Sequence, residues 1–238
     1  LIGCLEYNSL DYQIHDETLK LREVDLSFTG SLHPFQSIAV NAVLSRRYGV
    51  LESPTGSGKT VMALNIISQR KQPALVVVHT KELLYQWRDR ATHFLALDAD
   101  EIGLIGDGHK RIGERLTIGI INSLYRIIAE VSPFIGHVIV DECHHTPART
   151  FSDVVGGLPA FYLLGLTATP YRRDRLTRVI YFHMGDRIHQ ISPAELQAEN
   201  RIMQARLEVR HTDFDYPNAS DDYQGMLTAL VKDRARNS

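Results

Sequence analysis

From Tyr48 onward, short β-branched and aliphatic runs alternate with stretches whose apolar residues recur at helical spacing, and this leaves one fold class open: a parallel sheet wrapped by helices. The candidate strands are Tyr48 to Leu51, Ala74 to His79, Leu116 to Ile121, His137 to Val140 and Phe161 to Leu166. Most are almost unbroken apolar runs, as strands buried on both faces must be. Between them, residues 60–70 carry Val61, Leu64 and Ile67 on one helical face, and residues 81–94 do the same with Leu83, Leu84, Trp87 and Ala91. These read as crossover helices, so the expected fold is α/β with helices on both faces of the sheet.

The ends of the chain read differently. Residues 1–30 show alternation from Lys20 to Val24 and a turn signal at Thr29-Gly30, which suggests a small leading element. The main body is expected over 31–212, with a last strand at Arg206 to Val209. Residues 213–238 hold a polar loop and a helix from Tyr223 to Lys232, read as a connector toward a further domain. The chain begins with Leu1 rather than Met, so it reads as a piece of a longer protein.

A composition of 44% hydrophobic and 23% charged residues fits a folded globular protein and excludes a disordered or fibrous one. A net charge of -2 gives no global attraction to phosphate backbones, so any nucleic-acid contact has to come from a local surface. The two cysteines, Cys4 and Cys143, lie far apart without a C-x-x-C partner, which points to a reducing compartment. No apolar run approaches the roughly 18 residues of a membrane span, and no signal peptide opens the chain. A cytoplasmic location is expected, or a nuclear one in a eukaryote, with no membrane partner.

Chemistry concentrates first in Ser53-Pro54-Thr55-Gly56-Ser57-Gly58-Lys59-Thr60, between a candidate strand and a candidate helix. Glycines let successive backbone N–H groups curl around a phosphate, and the following helix adds its positive end. Lys59 would reach the β- and γ-phosphates, and the Thr60 hydroxyl would hold Mg²⁺. Ser53 stands where the general phosphate-loop pattern has its first glycine.

The second concentration is Val138-Ile139-Val140-Asp141-Glu142-Cys143-His144-His145, an apolar run ending in two acids. Ligands of open α/β sheets bind outside the carboxyl ends of strands, so Asp141 would face the loop and hold Mg²⁺. Glu142 would orient or deprotonate the attacking water. Cys143, His144 and His145 are zinc-ligand types, but three adjacent residues do not converge on one tetrahedral ion.

With P-T-G-S-G-K-T, D-E-C-H and Leu166-Thr167-Ala168-Thr169-Pro170 in that order, the chain resembles DExH-type superfamily 2 helicases at their motifs I, II and III. It is most similar to the group of type III restriction-enzyme motor subunits and xeroderma-type B repair helicases. That likeness also runs through Leu32-His33-Pro34-Phe35-Gln36, the stretch Val76 to Trp87, and Gly165 to Arg172. It implies a RecA-like P-loop NTPase domain, the first of two, with ATP as substrate and Mg²⁺ as cofactor. ATP would be held by Gln36 at the adenine edge and by Pro54, Thr55, Gly56, Ser57, Gly58, Lys59 and Thr60.

The same resemblance places His79, Thr80 and Lys81 at a nucleic-acid backbone, with Ser123 as a further contact. Thr80 reads equally as a helix N-cap, and Ser123 as a turn or cap residue. His144, Thr167 and Thr169 would couple nucleotide to nucleic acid, or simply cap a strand end. Arg172, Arg173, Arg175 and Arg178 form a basic cluster that suits nucleic acid, a partner domain or a solvated face.

Motors of this group close ATP between two related domains, the second supplying arginine fingers. No Q-x-x-G-R-x-x-R pattern occurs between Leu176 and Ser238. The expectation is therefore an ATP-dependent DNA helicase or translocase motor that needs a second RecA-like domain of its parent chain and hydrolyses ATP weakly by itself. The alternatives are an RNA helicase motor and a P-loop ATPase acting on something other than nucleic acid.

Overall fold

The computed structural model describes residues 8, 11, 13, 15–143, 148–168, 177–192, 195–196, 214–216 and 222–233. The chain divides into two compact units, Leu1–Ile202 and Met203–Ser238. Along the first run α1 (Pro34–Leu44), β1 (Tyr48–Glu52), α2 (Lys59–Arg70), β2 (Ala74–Val78), α3 (Lys81–Leu95), β3 (Gly103–Gly106), β4 (His109–Lys110), β5 (Leu116–Ile120), β6 (His137–Val140), α4 (Ala148–Gly156), β7 (Tyr162–Thr167), α5 (Thr177–Met184) and β8 (Arg187–Gln190). Short helical turns lie at Ile121–Leu124, Ile128–Val131 and Ser132–Phe134.

One sheet takes the order β4-β3-β5-β2-β6-β7-β1-β8. Every neighbouring pair is parallel except β3 and β4, an antiparallel hairpin at the edge. The exposed polar pair His109 and Lys110 suits that edge, where a long apolar strand would invite foreign pairing.

Helices cover both faces because side chains along each strand alternate between two cores. In β2, Ala74, Val76 and Val78 pack with Ala39, Met62, Ile67 and Trp87 from α1, α2 and α3. Leu75 and Val77 face the other way, with Phe151, Val154 and Ile180 from α4 and α5.

Local chemistry sets the helix limits. Pro34 opens α1 at the position where a missing N–H costs nothing. Thr80 caps α3, its hydroxyl accepting from Leu83 N at 3.3 Å. Lys71 and Ala96 close α2 and α3 in the left-handed region.

The strand expected at Leu116 to Ile121 stops at Ile120, because Ile121 begins a helical turn. The alternation at Lys20 to Val24 produces no strand beyond a single bridge between Leu19 and Ala160. Instead this segment is strapped to the sheet by the Gln72 side chain, which accepts from Leu21 N at 2.7 Å and donates to Leu21 O at 3.0 Å.

In the second unit, helix α6 (Tyr223–Lys232) occupies the expected place. Asp222 caps it, accepting from Gly225 N at 2.8 Å. The strand expected over Arg206 to Val209 lies outside the described residues. No helix among the described residues is long and apolar enough to cross a membrane.

Candidate functional site

Parallel pairing puts the ends of β3, β5, β2, β6, β7 and β1 along one edge of the sheet, in that spatial order. The loop after β1 leaves the sheet at Ser53, whose N–H still bonds to Thr167 O at 2.9 Å. Gly56 and Gly58 both sit at φ +85, a left-handed conformation open to glycine. The Ser53 and Ser57 hydroxyls hydrogen-bond to each other, so the serine at the first-glycine position ties the loop across its base.

Lys59, the first residue of α2, turns back over the loop. Its Nζ donates to Ser53 O at 3.1 Å and lies 3.3 Å from Glu142 Oε1. Phosphate loop and paired acids thus meet at one point, the convergence that the sequence motifs require of each other.

At the end of β6, Asp141 is only 7% exposed. Its Oδ2 accepts from Trp87 Nε1 at 2.7 Å and its Oδ1 from Glu142 N at 3.0 Å. Burial raises the pKa of this carboxyl above its ordinary value, and the neighbouring Glu142 charge pushes the same way against the Trp87 hydrogen bond and Lys59. Glu142 itself has φ +45, a conformation costing a non-glycine residue about 1–2 kcal/mol. The kink brings the chain back to β7, where Cys143 N donates to Leu166 O at 3.1 Å. Cys143 then enters the core.

Gln36 comes to the same place from α1. Its Nε2 donates to Ser57 O at 2.8 Å and its Oε1 accepts from His33 N at 2.9 Å. The side chain is therefore a strut beneath the phosphate loop, a role that its sequence position alone does not give. Each amide group keeps bonding capacity for a base edge.

Buried Glu52, last in β1, is held by Arg187 Nη1 at 2.9 Å and Gln190 Nε2 at 3.0 Å from β8. This fixes the strand from which the loop springs.

The expected nucleic-acid contacts occupy the other half of the edge. Thr80 acts as the helix cap, Lys81 Nζ pairs with Asp107 Oδ2 at 2.9 Å, and Ser123 lies in the helical turn after β5. His79 directly follows β2, and Thr167 ends β7, buried. His144, Thr169, Arg172, Arg173 and Arg175 lie outside the described residues, as does the Arg178 side chain. A groove lined by Arg22, Asp25, Pro73, Arg115 and Phe134 opens at the amino ends of β2, β5 and β6, opposite all of this.

Trp87 and Asp107 go unnoticed in the sequence as site residues, although each carries a signal. A buried indole N–H demands an acceptor, and an Asp-Gly pair after an apolar run marks a tight hairpin.

No group of three or more His, Cys, Asp or Glu side chains gathers as a metal site among the described residues. Mg²⁺ needs less, because it is commonly held by one or two carboxylates, water and substrate phosphate. Asp141 fits that demand. Each of its oxygens takes one described protein hydrogen bond and keeps a lone pair, and burial beside Glu142 favours an added positive charge.

The family described as type III restriction enzyme, res subunit, matches residues 29–172. The chain is 34% identical over 165 residues to the DNA 3'-5' translocase XPB2 of Sulfurisphaera tokodaii, a match covering 69% of this chain and 37% of that protein. It is 27% identical over 217 residues to the general transcription and DNA repair factor IIH helicase/translocase subunit XPB of Antonospora locustae, covering 83% and 31% respectively. In fold it is similar to the UvsW helicase from bacteriophage T4, with a TM-score of 0.61 at 18% identity over 78% of this chain and 74% of that one. The chain spans about a third of the length of these curated relatives.

Proposed function

Because the chain belongs to the family of the type III restriction enzyme res subunit, we propose that it is the first, ATP-gripping RecA-like motor domain of a superfamily 2 DNA helicase or translocase. The observation that carries this reading is the 3.3 Å approach of Lys59 Nζ to Glu142 Oε1, which joins the phosphate loop to the strand-end acids. DNA is the preferred polymer because the relatives are named as DNA translocases and repair helicases. A cytoplasmic location accompanies this reading, or a nuclear one in a eukaryote.

In this reading the backbone of Pro54 to Gly58 wraps the triphosphate, and Lys59 neutralises its terminal oxygens. Thr60 and Asp141 hold Mg²⁺, which supplies charge neutralisation at the phosphates when bound. Glu142 orients the attacking water and takes its proton. Gln36 keeps the loop in shape and meets the adenine edge. Thr167, tied to Ser53 through its carbonyl, passes the state of the nucleotide loop toward the nucleic-acid half of the edge. His144 and Thr169 belong to the same coupling role, and His79, Thr80, Lys81 and Ser123 hold a strand backbone. Movement and rapid turnover require a second motor domain that closes on the nucleotide from the other side.

ATPase measurements on the parent chain with single-stranded DNA, duplex DNA and RNA, compared at one salt concentration, test the reading. Stimulation by DNA and its loss in Glu142→Gln are expected. ATP hydrolysis indifferent to every nucleic acid would overturn the motor function. Stimulation by RNA alone would replace DNA as the polymer.

A further inference from the structure

Lys81 stands where the proposed function puts a strand phosphate, yet an acid already holds it. Its ammonium lies 2.9 Å from Asp107 Oδ2. The Tyr85 hydroxyl, one helical turn further along α3, donates to the same oxygen at 2.6 Å. An ammonium and a hydroxyl converging on one anionic oxygen are the donors that a phosphodiester oxygen takes from a protein.

The backbone fixes Asp107 there. It is the first residue of the two-residue turn joining β3 to β4, with Ile105 paired to Lys110 and Gly106 to His109. Asp107 at φ +50 and Gly108 at φ +85 both adopt the left-handed conformation of the tight hairpin turn that Asp-Gly favours. Because β3, β5 and β2 are neighbours, the turn, Ser123 and Lys81 stand in a row along the carboxyl edge.

We propose that Asp107 is a built-in competitor for nucleic-acid phosphate at Lys81 and Tyr85, so that the hairpin turn sets how strongly the motor domain grips a strand. The inference rests on the nucleic-acid reading of this edge and adds to it a residue that opposes binding. To engage a phosphate, Lys81 and Tyr85 must exchange one anion for another, and the released carboxylate stays beside the strand as a like charge. The exchange also cancels a counterion effect. A lysine that meets phosphate normally releases a cation from the nucleic acid, but here the freed Asp107 takes one up.

The test uses this chain, a fluorescently labelled single-stranded oligodeoxythymidylate, and binding titrations over a range of salt concentrations. Asp107→Asn is the informative variant, since Asn-Gly is as favourable as Asp-Gly in this turn and the hairpin is kept. It is expected to bind about three- to ten-fold more tightly at low salt, with the plot of log affinity against log salt steeper by about 0.7, the value for one further phosphate contact on a single strand. Adding Lys81→Gln should abolish both the gain and the steeper slope, while Lys81→Gln alone, which leaves the Asp107 charge unpaired beside the strand, should bind no more tightly than the native chain.

Weaker binding by Asp107→Asn at unchanged slope would make Asp107 a positioning residue for Lys81 and overturn the inference. Equal binding and equal slope in the two proteins would overturn it as well, leaving the nucleic-acid reading intact. Failure of both proteins to bind at any salt concentration would overturn the nucleic-acid reading and this inference with it.

Discussion

Lys59 Nζ lies between Glu142 Oε1 at 3.3 Å and the carbonyl oxygen of Ser53 at 3.1 Å. The lysine proposed to meet the triphosphate and the acid proposed to orient its attacking water are thus each other's counter-ion. A γ-phosphate that takes Lys59 has to displace Glu142, and the displaced carboxylate becomes available to water. Glu142→Gln keeps the shape and removes the competing charge. ATP should then bind about two- to five-fold more tightly, as expected for a pair worth about 0.5–1 kcal/mol. Turnover by the parent chain should fall about 10²- to 10⁴-fold. Lys59→Ala should lose binding itself. Calorimetric titration with Mg-ATP checks both, and weaker binding by the glutamine variant would contradict the exchange.

Trp87 is the sole tryptophan, and its indole N–H is spent on Asp141. Entry of Mg²⁺ and ATP changes the charge around that carboxylate, so intrinsic fluorescence should respond to Mg-ATP in the native chain and stay flat in Lys59→Ala. Trp87→Phe leaves a buried acceptor without its donor, at a cost of about 1–3 kcal/mol in a denaturant melt. The lost bond also favours the protonated form of Asp141, whose pKa burial already raises. If Asp141 holds Mg²⁺ as proposed, it does so in its ionised form, and the acid limb of Mg-dependent ATP binding should move to higher pH. An unmoved limb would detach Asp141 from the metal.

Gly58 and Gln36 are fitted to each other. A Cβ on Gly58 would stand 2.4 Å from Gln36 Nε2, at a φ of +85. Gly58→Ala should therefore weaken ATP binding, by displacing the Gln36 amide and by backbone strain of about 1–2 kcal/mol, and adding Gln36→Ala should relieve the clash without removing the strain. Gln36→Ala alone separates its two roles. Loss of the strut weakens every nucleotide, whereas loss of an adenine contact weakens ATP more than GTP. The expected result is about a tenfold loss for ATP and a smaller one for GTP, as one hydrogen bond of about 1–1.5 kcal/mol gives. Equal losses in parallel competition titrations would leave Gln36 the strut alone.

Five strands are legible in the sequence because each is buried on both faces and so is apolar at nearly every position. Phosphate loop and acids are legible because their chemistry tolerates few spellings. The hairpin β3–β4 is harder to see, since it offers only short strands rich in glycine and polar residues, although Asp107-Gly108 announces the turn. Helix α1 is visible in retrospect from Pro34 at its start and from Phe35, Ala39 and Val43 on its inner face. Edge strand β8 reads Arg-Ile-His-Gln and gives no apolar signal. What no periodicity encodes is the pairing of side chains across elements. Lys81 with Asp107, Trp87 with Asp141 and Gln36 with Ser57 each join residues more than 20 positions apart.

The far pole of the sheet carries a different device. Arg70, last in α2, donates to Val43 O at 3.0 Å and Arg46 O at 2.8 Å, its guanidinium lies 4.3 Å from the centre of the Tyr162 ring, and its Nη1 is 2.9 Å from His137 Nε2. Burial lowers its pKa to about 10, so it remains charged at neutral pH. His137, first in β6 and fully buried, must accept from Arg70 through a neutral ring, and burial holds its pKa well below the ordinary value of 6.5. Above that pH neither state of the chain protonates this ring, and stability is unaffected. Below it the unfolded chain binds a proton that the folded chain refuses, so stability falls as pH falls, by up to about 1.4 kcal/mol per unit. Urea melts between pH 7.5 and 5.5 should show that decline in the native chain. His137→Gln, which keeps an acceptor and does not titrate, should start less stable and decline less. Asp141 has a raised pKa and acts in the opposite direction, but it is common to both proteins and cancels in the difference. Parallel declines in the two proteins would show that Arg70 and His137 do not set the acid sensitivity of the fold.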